Sequence, residues 1–71
     1  MIYLELTNES GATESKGPYR GLSLQRDILY VDGQPGYEYF RGTWYQLDEH
    51  QMFIFDSYGQ AIKYSVITLS F

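Results

Sequence analysis

Residues Tyr37–Tyr64 read YEYFRGTWYQLDEHQMFIFDSYGQAIKY, and this stretch decides the fold. It holds the only tryptophan, the only histidine, three of the four phenylalanines and five of the eight tyrosines. Nowhere do its apolar residues recur at i, i+3, i+4 and i+7 behind a capping residue, so it does not read as helix. Aromatic and β-branched runs broken by turn chemistry predict consecutive short strands instead. Gly36–Arg41 is one strand and Thr43–Leu47 the next, with Gly42 between them as a bulge or sharp bend. Asp48-Glu49-His50-Gln51 is a polar turn. Met52–Phe55 is the most apolar run of the chain and is expected to be a central strand. Asp56-Ser57-Tyr58-Gly59 has Asp at its start and Gly at the left-handed position, which suits a type I turn with a bulge. Ala61–Leu69 completes the chain as a long strand. Ile62, Tyr64 and Val66 mark one face of it and Ile67 and Leu69 the other. A bulge, or a strand bending across two sheets, accounts for that switch.

Toward the N-terminus, Ile2, Leu4 and Leu6 alternate with Tyr3, Glu5 and Thr7, the period of a half-buried strand. Residues 8–21, NESGATESKGPYRG, contain three glycines, a proline, two serines and two glutamates. With so little to bury, this segment is expected to be a long polar, mobile loop. Leu22 and Leu24 begin a strand that continues as Ile28–Val31. Arg26-Asp27 is expected to be a bulge within it, because Arg-Asp is a poor pair for the φ > 0 positions of a two-residue turn. Asp32-Gly33 suits a type I′ turn, and Pro35, which has no N–H to donate, places the start of the returning strand at an edge or kink. The expected fold is all-β. It is a single domain over residues 1–71, a meander of six or seven short antiparallel strands rolled into a twisted sheet or small barrel, with the long polar loop after the first strand.

Three strands place Asp at the boundary with the following turn: Asp32, Asp48 and Asp56. An Asp carboxylate accepts hydrogen bonds from backbone N–H groups just ahead of it, so these acids read as turn formers rather than catalysts.

Composition narrows the function. The 71 residues carry a net charge of −4 and no cysteine, so disulfides and thiolate metal sites are excluded. Stability must come from packing, and thirteen aromatic residues are its source, each able to bury roughly 150–250 Å². Lys16, Arg20, Arg26, Arg41 and Lys63 are too few and too scattered for a phosphate-neutralising stripe, which disfavours direct nucleic-acid binding. No apolar run reaches the ~20 residues of a membrane-spanning helix. The lack of cysteine and of a secretion signal points to the cytoplasm.

No constellation of catalytic residues stands out. His50 is the sole imidazole and lies in a polar turn beside Asp48 and Glu49, without the oriented partner that a base or metal ligand needs. The serines form no Gly-x-Ser-x-Gly elbow, and the glycines no phosphate-binding fingerprint. The chain is therefore expected to be non-enzymatic, with no cofactor and no metal.

Gly42-Thr43-Trp44-Tyr45-Gln46-Leu47-Asp48, followed by Phe55-Asp56-Ser57-Tyr58-Gly59-Gln60, resembles the aromatic hairpin repeats of bacterial cell-wall-binding and choline-binding proteins. The resemblance implies that Trp44 and Tyr45 help to wall a choline or sugar site. Those repeats run near 20 residues in tandem. Here the two halves lie eight residues apart and are not repeated further, as convergent hairpin chemistry would give.

The candidate binding residues are Tyr37, Glu38, Tyr39, Arg41, Trp44 and Tyr45. Thirteen aromatics exceed what one thin core can cover, and aromatic-rich surface marks interfaces. Three functions follow as expectations. The first is a small acidic protein-binding module, possible as an inhibitor or adaptor that occupies a basic site on its partner. The second is an aromatic-lined carbohydrate- or choline-binding module, and the third a self-associating structural domain that buries Tyr37–Tyr45 in a homodimer.

Overall fold

The computed structural model describes residues 1–71, and every regular element in it is a strand. β1 (Ile2–Thr7) lies between β2 (Thr13–Tyr19) and β8 (Val66–Ser70) in one antiparallel sheet. β3 (Leu22–Gln25), β4 (Ile28–Val31), β5 (Gln34–Phe40), β6 (Thr43–Gln46) and β7 (Lys63–Tyr64) form a second sheet in that order. The all-β antiparallel fold expected from the sequence is what the chain forms, with eight strands in two sheets: β3 to β7 run as a meander, whereas β8 returns to pair with β1 in place of continuing it.

β1 has the alternation its sequence predicts: Leu4 and Leu6 are fully buried, while Tyr3 and Glu5 are exposed. The expected loop over residues 8–21 is instead a tight turn followed by β2. Asn8 makes the turn, its Oδ1 accepting from the backbone N–H groups of Ser10 and Ala12, both at 3.0 Å. From there Thr13–Tyr19 pairs along β1. An edge strand needs ladder hydrogen bonds more than buried side chains, so a polar composition does not prevent it.

Two-residue turns join β3 to β4, β4 to β5 and β5 to β6. Asp32-Gly33 has φ of +50° and +79°, as a type I′ turn requires. Arg41-Gly42 has φ of +50° and +82°, so Gly42 completes a second such turn, the sharp bend of the two alternatives. Arg26-Asp27 is also a turn, with φ of +57° at Arg26, and the irregularity lies instead in β5, where Gly36 is the extra residue opposite Leu29/Tyr30. Arg26 and Arg41 take up the left-handed conformation because the ladders on either side fix the strand ends. Asp32 differs from the other turn aspartates, because its Oδ1 reaches back to the N–H groups of Arg20 (2.8 Å) and Gly21 (3.0 Å) and ties the first sheet's exit to the second.

Met52–Phe55 is not a central strand. Gln46, Ile54 and Ile62, eight residues apart, close a circuit of three backbone hydrogen bonds. Ile54 donates to Gln46 (3.2 Å), Ile62 to Ile54 (2.9 Å) and Gln46 to Ile62 (3.0 Å). Three arms leave this ring, paired at Leu47 with Phe53, Phe55 with Ala61, and Tyr45 with Lys63. The first two are closed by turns with the geometry of the Asn8 turn. Asp48 Oδ1 accepts from His50 (2.8 Å) and Met52 (3.0 Å), and Asp56 Oδ1 from Tyr58 (2.8 Å) and Gln60 (3.0 Å). Each arm is too short to enter a sheet, so the most apolar run of the chain ends at the periphery.

The fourth residue of each turn is left-handed: Gly11 at φ +90°, Gly59 at +78° and Gln51 at +63°. Only Gln51 bears a Cβ, which costs roughly 1 kcal/mol in that conformation. Gln51→Gly is expected to stabilise the fold by about 0.5 kcal/mol or more, after loss of the exposed Gln51–Tyr30 hydrogen bond (3.3 Å). A thermal melt checks this, with a rise of about 2–6 °C expected for a domain this small.

The last strand bends across two sheets, the second of the two accounts given for its switch of faces. β7 ends at Tyr64, Ser65 N–H and Oγ both bond to Thr7 O (2.8 and 3.1 Å), and β8 continues along β1. The core lies where the sheets meet. Leu4 and Leu6 pack with Leu29, Tyr37 and Tyr64, surrounded by Tyr19, Leu22, Val31, Trp44, Ile62 and Ile67. Tyr37 and Tyr64 meet edge to face with centroids 6.1 Å apart, and Tyr64 OH donates to Glu14 Oε1 at 2.6 Å. The accessible surface is 5,017 Å², against about 4,600 Å² from the size scaling of folded monomers. Much apolar area therefore stays outside.

Candidate functional site

Register separates the six candidate residues. In the β5–β6 hairpin Tyr37 pairs with Gln46 and Tyr39 with Trp44 on one face, and Glu38 pairs with Tyr45 and Phe40 with Thr43 on the other. The first face is the core side. Tyr37 is buried there, and desolvation, with Tyr19 and Glu14 nearby, pushes its phenol above the usual range. Tyr39 and Trp44 lie farther out along the same face, toward the hairpin tip, tilted against each other at 4.9 Å. Glu38 and Tyr45 lie on the outer face. Arg41 occupies the turn, its guanidinium 5.2 Å from the centre of the Phe40 ring. Strand alternation thus gives two small groups in place of one patch.

The outer face gains residues that the sequence reading placed in the core. Tyr45 stacks on Phe53, rings 4.7 Å apart and 2° from parallel. Alternation along the ring turns Tyr45, Leu47, Phe53, Phe55, Ala61 and Lys63 outward, opposite to Gln46, Ile54 and Ile62. Leu47 is buried, but Phe53 is 38% exposed, Phe40 53%, Phe55 59% and Met52 63%. The signal that finds these residues is the recurrence of Asp at 48 and 56. Two Asp-initiated turns only eight residues apart leave arms too short to be interior.

Charges rim this surface. Glu38 stands between Ile28 and Tyr45 in the ladder, and Lys63, opposite Tyr45, is 3.5 Å from Glu9. At the turn above it, the backbone N–H groups of Met52 and His50 hold the Asp48 carboxyl below the usual carboxylate range. His50 is exposed beside Glu49, 3.5 Å away. The largest cleft, about 390 Å³, adjoins this rim between the Asn8 and Asp56 turns, with Glu9, Glu14, Asp56, Lys63 and Tyr64 among its lining. Arg20 and Lys16 belong to the connection into β3 and to β2, remote in the fold from Arg41.

Chemically the outer face offers stacked rings and apolar area with an ionic rim, the composition of a recognition surface. The chain matches no family model, and no curated protein or solved structure is similar enough to it to lend a family or a function.

Proposed function

We propose that this is a small non-enzymatic protein-binding module that engages its partner through the outer aromatic face. The observation that carries the reading is the exposure of Phe40, Phe53 and Phe55 on the same face as the Tyr45–Phe53 stack. Three large apolar side chains on one side of so small a domain gain by being covered, each by roughly 1.5–3 kcal/mol if burial were complete. The net charge of −4 and the carboxylates Glu38, Asp48, Glu49 and Asp56 around this end favour a partner whose groove is apolar at its centre and basic at its rim. An inhibitor or adaptor occupying a basic site has this character.

The carbohydrate- or choline-binding alternative has less support. Phe53 already covers one face of Tyr45, a surface that stacking on a sugar ring uses, and Tyr39 is tilted against Trp44.

Capture from a cell lysate, comparing the wild type with Phe40→Ser/Phe55→Ser, tests the proposal. Both side chains are more than half exposed, so the double variant is expected to keep its circular dichroism spectrum. The wild type should retain a protein partner that added salt weakens, and the variant should recover at least about tenfold less of it. Equal recovery by both chains, or a wild type that retains nothing salt-sensitive, overturns the reading.

A further inference from the structure

A sheet edge exposes a row of unpaired N–H and C=O groups, and folded proteins guard such edges with charge, proline, inward-facing charged residues or short length. Three of the four edges here are guarded. β2 turns Glu14 and Lys16 toward the inner face and carries Pro18. β7 has two residues, one of them Lys63. β3 is four residues long and runs directly into Arg26-Asp27. β8 has none of these devices: it lies within Tyr64–Phe71, KYSVITLSF after its lysine, where no side chain is charged and none is proline.

The two edges of the first sheet differ in a telling way. On the inner face, the row that holds Leu4 and Leu6 continues into β2 as Lys16 and Glu14, and into β8 as Leu69 and Ile67. Leu69 faces the same side as the fully buried Leu4, yet it is 45% exposed because the sheet stops there.

We propose that β8 pairs antiparallel with β8 of a second copy across a two-fold axis at Thr68, giving a continuous six-stranded sheet. The sequence is self-complementary in that register: Ile67 faces Leu69 of the second copy and Val66 faces Ser70. Both inner-face apolar residues are thereby covered. Charge selects the same edge. Two copies of a chain with net charge −4 repel, so contact requires an uncharged seam. The nearest acid, Glu5, stands one strand in from Thr68. Its counterpart in the second copy lies three strand spacings away, about 14 Å. That exceeds the Debye length of about 8 Å at physiological salt. This seam is on the other sheet from the proposed aromatic binding face, so the two proposals stand or fall separately.

Sedimentation equilibrium of the full chain, from about 1 µM to several hundred micromolar, tests the pairing. The wild type is expected to double its mass within that range. Thr68→Glu, which sets two carboxylates opposite each other at the axis, each beside Glu5 of its own copy, and raises the net negative charge, should weaken association at least about tenfold. Val66→Glu is the second variant if Thr68→Glu does not fold: Val66 is 49% exposed, and a carboxylate there puts charge into the seam opposite Ser70 of the second copy. Phe40→Ser/Phe55→Ser should dimerise as the wild type does. A monomer mass throughout, glutamate variants that associate as tightly as the wild type, or loss of the dimer in the Phe40/Phe55 variant would overturn the proposal.

Discussion

Leu6→Ala is expected to leave the chain largely unfolded at 25 °C. Leu6 is fully buried in the central strand of the first sheet, opposite Glu14 on one side and Ile67 on the other. Truncating such a leucine costs about 2.7–5 kcal/mol, because the lost transfer energy is joined by the cavity left behind. A domain of this size draws only about 3–5 kcal/mol of net stability from its core, without a disulfide to help. Only Leu4 and Leu6 have side chains wholly removed from solvent, so the surrounding packing holds little in reserve. Far-UV circular dichroism and a thermal melt read the result. Leu24→Ala, at a residue 64% exposed, is the control and should change stability by about 0.5 kcal/mol or less. A Leu6→Ala chain that melts within about 5 °C of the wild type would show that the sheets are held by something other than this contact.

Alkali is expected to unfold the protein between about pH 10 and 12. Burial raises the phenols of Tyr37, Tyr64 and Tyr19 above their usual range. Hydrogen bonding to Glu14 adds to this at Tyr64, and the Asp32 charge adds to it at Tyr19. The sign follows from which state ionises first. Below pH 10 the phenols are neutral in both the folded and unfolded chain, and their full contribution to stability is present. As the pH rises, the unfolded chain loses these protons first, so stability falls until the folded chain ionises too. Each phenol kept neutral by the fold withdraws up to about 1.4 kcal/mol per pH unit in that window. Two such groups exhaust a margin of about 3–5 kcal/mol within about two pH units. Ionising Tyr64 in place would also set a phenolate against the Glu14 carboxylate, 2.6 Å away. Tyr37→Phe removes one titrating group while retaining its ring against Tyr64, so its alkaline transition should move to higher pH. Tyrosinate absorbance and circular dichroism, followed together, decide this. A fold intact at pH 12, or a Tyr37→Phe variant that unfolds at the wild-type pH, would contradict it.

Where period and turn chemistry acted locally, the sequence was sufficient. The alternation of β1, the Asp32-Gly33 turn and the Asp-initiated turns at 48 and 56 all follow from residue types within a few positions of one another. The strand that changes sheets at Ser65 was visible as a switch of apolar face. Long-range pairing was not visible. Thr13–Tyr19 is a strand because β1 offers it a ladder, which its own composition does not disclose. Arg26 and Arg41 adopt left-handed backbone because register on both sides demands it. Met52–Phe55 has the hydrophobicity of an interior strand, but the turns on either side leave too little chain for one. The candidate site inherits the same division. Tyr45, Glu38 and Arg41 lie where an interface residue can act, whereas Tyr37 belongs to the core by alternation. Phe53 and Phe55 needed the ring to bring them out.

The ring at Gln46, Ile54 and Ile62 asks nothing of side chains. Each of the three residues gives one N–H and takes one at its carbonyl, so any residue but proline satisfies it. Beyond the ring, each arm is closed by a single Asp with its own backbone. Met52, Phe53, Phe55 and Tyr58, carried by these arms, are not among the leucine and tyrosine contacts that keep the sheets together. Substitutions accumulating in those arms alter what the surface meets while leaving the fold's stability nearly untouched, so recognition in this protein is free to drift on a framework that is not.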